Sequence, residues 1–168
     1  MKPLYQIMKQ RLTAAVTLAF MLGSAVPVFA GLDSEVDTLL AAEASPEGVV
    51  FEVVTNKREA LDTALPQIIS AVKRLRQRWS KLDIVIVTHG KEQFALTSAN
   101  FQKHSGIHKQ VQNLVKEASV GVHVCGTFAQ RNNVAPEEFP DYVNVSASGP
   151  AQINDYKTLG YVVVLVTP

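Results

Sequence analysis

Apolar positions along this chain follow two rhythms that take turns. Val49 to Val54 (VVFEVV), Leu82 to Val87 (LDIVIV), Val120 to Val124, Tyr142 to Val145 and Tyr161 to Val166 (YVVVLV) are short runs rich in β-branched residues, and they predict five strands. Between Lys57 and Trp79 the apolar residues Leu61, Leu65, Ile68, Ile69, Val72, Leu75 and Trp79 recur at helical spacing, with Pro66 marking a kink or a new first turn. Ile107, Val111, Leu114 and Val115 predict a second helix to about Ala118, Thr127 to Asn132 a short third one, and Ala151 to Leu159 a last one stopped by Gly160. Phe94-Ala95-Leu96 reads as a short extension, Pro136 to Pro140 as a loop and Ser146 to Pro150 as a turn.

Several of the strands are continuous apolar runs rather than alternating ones, as in strands covered on both faces. Strands alternating with helices then predict an α/β domain, a three-layer α/β/α arrangement on a mainly parallel five-stranded sheet.

The first thirty residues follow neither rhythm. Lys2, Lys9 and Arg11 precede a 15-residue apolar run from Leu12 to Val26, and Val28 and Ala30 are small residues placed for cleavage after Ala30. This is the three-part layout of a secretory signal peptide. The run is shorter than the roughly 20 residues that span a bilayer. No cysteine near the cut offers a lipid anchor. The expected location is therefore the periplasm, with no membrane attachment after cleavage. The expected division is a signal peptide over 1–30, an acidic leader over 31–48 and one domain over 49–168. Val36, Leu39 and Leu40 leave the leader either a short docked helix or a loose segment.

This division changes the charge arithmetic. The whole chain carries +1, but 3 of its 16 basic residues lie in the signal peptide; 13 remain against 15 acidic ones, a net charge of −2. Nothing in that balance suits a nucleic-acid partner. A single cysteine excludes an internal disulfide framework and any thiolate-rich metal cluster. His104 and His108 lie four apart but have no third ligand nearby, so no metal and no cofactor is expected. Lys73, Arg74, Arg76, Arg78 and Lys81 read as the solvated, dipole-compensating end of a helix.

In open α/β sheets the crevice beyond the carboxyl ends of the strands binds ligands. Here those ends carry His89, then Cys125-Gly126-Thr127, then Ser146 and Ser148. Cys125 ends a strand and opens a short helix, a junction whose amide groups favour a thiolate. His123, two residues earlier, shares its face of the strand. A small buried hydrophobe and a satisfied core histidine fit the same positions.

The run Gly121-Val122-His123-Val124-Cys125-Gly126-Thr127-Phe128-Ala129-Gln130-Arg131-Asn132-Asn133-Val134, with the late Ser146-Ala147-Ser148-Gly149-Pro150 turn and Leu159-Gly160-Tyr161, resembles the DsrE/DsrF-like sulfur-relay family over roughly Val49 to Val166. The resemblance implies a five-stranded parallel α/β/α fold, homo-oligomers (trimers or hexamers) and, at Cys125, a cysteine that carries sulfane sulfur as a persulfide between a donor and an acceptor protein. His89, His123, Gly126, Thr127, Ser146 and Ser148 would shape its pocket. The sequence leaves a second reading open: a non-enzymatic oligomeric module that binds a small ligand or partner and whose cysteine is structural.

Overall fold

The computed structural model describes residues 31–168; the expected signal peptide lies outside the described residues. Five strands form one sheet: β1 (Gly48–Val53), β2 (Asp83–Thr88), β3 (Gly121–Cys125), β4 (Asn144–Ser146) and β5 (Tyr161–Val166). Their order is β4-β3-β2-β1-β5, and every neighbouring pair is parallel. The helices are α1 (Leu32–Ala41), α2 (Leu61–Arg78), α3 (Ser105–Lys116), α4 (Gly126–Arg131) and α5 (Gly149–Thr158). No helix among the described residues is long and apolar enough to cross a membrane.

Topology decides which face each helix covers. The steps β1 to β2 to β3 to β4 all move in one direction across the sheet, and right-handed crossovers then place α2, α3 and α4 on one face. The return from β4 to β5 runs the opposite way and puts α5 on the other. The first face holds the main core: Phe51, Ile84, Ile86, Val122, Val124 and Val164 of the sheet against Leu65, Ile68 and Leu75 of α2 and Ile107, Val111 and Leu114 of α3. Among the described residues, the second face holds a smaller cluster of buried apolar residues, Val50, Val85, Val87 and Ile153, with Tyr156, Tyr161 and Val163 packed around them. The same face carries Glu52 and His123, the polar exceptions in two otherwise apolar strands.

The acidic segment adopts the docked arrangement. Leu32 and Val36 of α1 are buried in the main core, and α1 packs on α2 and β5. Arg74 of α2 pairs with Asp33 and Asp37 of α1, and Arg78 donates to the Ala42 carbonyl at 2.8 Å. Part of the basic run thus ties α1 down rather than standing free in solvent.

Local differences from the expected elements have identifiable causes. Pro66 sits inside α2, near its start, where the missing N–H costs one helical bond without ending the helix. Phe94-Ala95-Leu96 does not extend a strand. It belongs to a buried 3₁₀ turn, Lys91–Leu96, whose polar members Glu92 and Gln93 bond to neighbouring segments. Strand β4 begins at Asn144 instead of Tyr142, because residues 140–143 form a turn in which the Val143 N–H bonds the Pro140 carbonyl at 3.0 Å. The loop at Pro136 contains a 3₁₀ turn, Pro136–Glu138. Helix α5 starts at Gly149, two residues early, because Ser148 caps it by accepting from the Ala151 N–H.

Candidate functional site

The carboxyl ends of β1 to β4 converge on one side of the domain, as the sheet direction requires. Cys125 is the last residue of β3 and the N-cap of α4; its Sγ accepts from the Phe128 N–H at 3.4 Å. The thiol is buried, with 4% of the residue exposed. Its backbone is held from the β2 side. Strand β2 ends at Thr88, which is in register with Val124, so Cys125 has no strand residue beside it there. The fully buried Gln93 carboxamide takes that place: Oε1 accepts from the Cys125 N–H at 2.8 Å and Nε2 donates to its carbonyl at 3.4 Å. Phe94, the next residue, stacks on Phe128 with ring centroids 5.7 Å apart. The 91–96 turn therefore sets both the thiol's backbone and the ring beside it.

Glu92 anchors the same turn. Its buried carboxylate accepts from Thr88 Oγ1 at 2.6 Å, the Gly90 N–H at 2.7 Å and the Thr55 N–H at 2.9 Å. Gly90 has to be glycine, since a Cβ there would fall 2.3 Å from the Thr55 carbonyl oxygen and 2.4 Å from Glu92 Oε2.

His89 and Cys125 meet at Gly149. A Cβ on Gly149 would lie 2.6 Å from His89 Cβ and 3.3 Å from Cys125 Cβ, so the first residue of α5 rests directly on both. The His89 ring turns away toward β1, where Nε2 bonds Glu52 Oε1 at 2.8 Å. His123 does not pair with Cys125. Its Nδ1 bonds Ser146 Oγ at 3.1 Å and its Nε2 bonds the Tyr156 hydroxyl at 3.3 Å. Burial lowers the His123 pKa below 6.5 and so favours the neutral ring. Burial first, then the Asp83 carboxylate, raises that of Tyr156. Next to it, the Tyr161 hydroxyl donates to Asp83 at 2.5 Å, and its pKa is pushed up to about 12.

Gly126, Thr127 and Ser146 line a cleft of about 780 Å³ between α4, the end of β4 and the loop at Pro136. Thr127 closes one wall, its N–H and Oγ1 both donating to the Ala147 carbonyl at 3.0 and 2.5 Å. Gly126 lets β4 approach, since its Cβ would stand 3.0 Å from the Ser146 carbonyl oxygen. Ser148 caps α5 and Ser146 supports His123. His104 and His108 are distant from this set in role: the His108 ring spans the Ala95 carbonyl at 3.0 Å and the Tyr142 hydroxyl. Among the described residues no group of three metal-ligating side chains converges.

Sequence reasoning missed Gln93, Glu92, Glu52 and Tyr156. Glu52 carried a signal, as the one charge inside VVFEVV. Gln93 and Glu92 carried none, because a polar pair ahead of Phe94-Ala95-Leu96 looks like an ordinary exposed turn.

Fold and site together define an open parallel α/β domain with one thiol at a strand end. No protein-family model and no curated protein sequence matches the chain. Among solved structures it is similar to MTH1491, a protein of unknown function from Methanobacterium thermoautotrophicum, with a TM-score of 0.55 and 18% identity over 70% of this chain and 96% of that one. It is also similar to the ychN protein from E. coli, with a TM-score of 0.48 and 19% identity over 72% of this chain and 99% of that one. The likeness to MTH1491 is one of fold.

Proposed function

We propose that this protein is an exported, periplasmic sulfur carrier of the DsrE/DsrF type, with Cys125 holding sulfane sulfur as a persulfide. The observation that carries the reading is the placement of the chain's one cysteine. Its Sγ caps α4 and accepts from the Phe128 N–H at 3.4 Å, and the next residue, Gly126, lines a cleft at the carboxyl end of the sheet. A hydrogen-bond donor aimed at the sulfur stabilises negative charge on it.

The transfer is a thiol–persulfide exchange. The Cys125 thiolate attacks the outer sulfur of a donor R–S–SH. A new S–S bond forms at Cys125, the donor S–S bond breaks, and the electron pair leaves on R–S⁻, which takes the proton. The same exchange in reverse passes the sulfur to an acceptor thiol. No electrons are gained or lost overall, so the step calls for no cofactor. Donor and acceptor proteins are the expected partners, together with copies of this chain in a trimer or hexamer.

Intact-mass measurement after incubation with a persulfide donor tests the reading. A gain of about 32 Da on the wild type, absent from Cys125→Ser, is expected. No gain, or an equal gain on Cys125→Ser, overturns it. The burial of Cys125 favours a second reading, in which the cysteine is structural and the domain binds a ligand or partner without chemistry. That reading expects Cys125→Ser to leave binding intact and the native thiol to react slowly with a thiol reagent.

A further inference from the structure

The two edges of the sheet are built differently. Strand β4 is three residues long, carries Asn144 and Ser146, and follows Pro140 and Asp141. Short strands, proline and charge are the devices by which a sheet edge resists pairing. Strand β5, at the opposite edge, has six residues, YVVVLV, with no charge, proline or glycine, and it holds an unbroken register with β1.

Strand β5 pairs on one side. In a parallel ladder every second residue of an edge strand directs its N–H and C=O away from the neighbouring strand. Among the described residues, no backbone group of 161–166 bonds anything except β1. Helices α1 and α5 pack on β5. Even so, Val162, on the side of Val164 and Val166, is 37% exposed, and Leu165, on the side of Tyr161 and Val163, is 39% exposed. Leu159, just before the strand, is 63% exposed. Apolar surface therefore flanks the open backbone on both faces.

A second copy of this chain fits that edge better than a foreign strand, for two reasons. A two-fold axis through β5 sets the strand antiparallel to itself, so its residues meet one another, and a charged edge would bring like charges together. In YVVVLV every cross-strand pair is apolar, whichever residue lies nearest the axis. Self-pairing also covers both bare edges at once. Only the short, polar β4 edges are then left at the two ends of the joined sheet.

We propose that two copies of this chain join through β5, antiparallel about a two-fold axis, so that their five-stranded sheets become one. The contact does not rest on the sulfur-carrier reading. It selects among assemblies, because a two-fold contact builds even-numbered oligomers, such as a dimer or a hexamer, and a closed trimer contains none.

Sedimentation of the purified chain gives the number of copies, and hydrogen exchange reads the β5 amides. An even number is expected, with slow exchange at consecutive residues of Val162–Val166 rather than at every second one. Val162→Lys and Leu165→Lys put a charge on the edge at positions that are already exposed. Each is expected to weaken the contact about tenfold, taking a dimer toward single chains or a hexamer toward trimers, and to restore fast exchange at alternate amides. Thermal melts establish that the variants fold. A monomeric or trimeric wild type, alternate fast exchange in the wild-type assembly, or unchanged association in both folded variants overturns the proposal. If neither variant folds, the wild-type copy number and exchange pattern decide it.

Discussion

Gln93 and Cys125 are bonded through both backbone groups of the cysteine, at 2.8 Å from its N–H and 3.4 Å from its carbonyl. A side-chain carboxamide here does the work of a neighbouring strand one residue beyond the point where β2 stops. The thiol's position is thereby fixed by a residue from a turn rather than by the ladder.

Replacing Gln93 with leucine leaves two buried backbone groups without partners. A loss of about 1–3 kcal/mol is expected in urea denaturation. Cys125 in this variant should react faster with a thiol reagent in the native state. Gln93→Glu keeps the acceptor, loses the donor and buries a charge, so it should be no more stable than Gln93→Leu. Wild-type stability in both would show that the pairing contributes nothing.

Gly149→Ala should be destabilising by about 1–3 kcal/mol, since the new methyl falls 2.6 Å from His89 Cβ. Gly106, also within the first turn of its helix, would have nothing within 4 Å of an added methyl, and Gly106→Ala should stabilise by about 0.5–1 kcal/mol. Thermal melts of the pair read the contrast directly. Similar shifts in both would mean that α5 does not rest on His89 and Cys125.

Stability should fall with acid through the histidines. The pKa of His123 is lowered by burial. That of His108 is lowered first by burial and further by His104, against a raising bond to Ala95. A folded-state value below 6.5 means that the unfolded chain takes up protons first as pH drops. Their contribution is thus fully present above about pH 6.5 and lost as pH falls below it. Denaturation midpoints from about pH 7.5 to about pH 5 should decline, and His123→Gln should flatten part of the slope. An unchanged slope in His123→Gln would count against a neutral, buried ring.

Tyr161 should be the last tyrosine to ionise. Its bond to Asp83, then burial, lifts its pKa to about 12. A raised folded value favours the neutral phenol, so the associated stabilisation is present below about pH 10 and lost as pH rises toward about 12. Ultraviolet titration of Tyr161→Phe should lose the highest-pH step of tyrosinate absorbance. Retention of that step would assign it to another residue.

Periodicity alone located the five strands and helices α2 to α5 to within about two residues, because burial imposes a period of two or a continuous apolar run on strands and about 3.6 on helices. The run YVVVLV gave β5 with its observed bounds, Tyr161–Val166. Strand ends also announced Cys125, Thr127 and Ser146 as neighbours, since parallel strands deliver their carboxyl ends to one side. The partners of those residues were another matter. His123 and Cys125 share a strand face, yet the imidazole reaches Ser146 and Tyr156, and only the register of β3 with β4 and the placing of α5 settle that. Gln93 lies 32 positions before Cys125. No local pattern links them, because their bond depends on where β2 ends against β3. Period and propensity act over a few residues and so can be read along the chain. Hydrogen bonds between distant segments depend on three-dimensional distance, which the fold alone supplies.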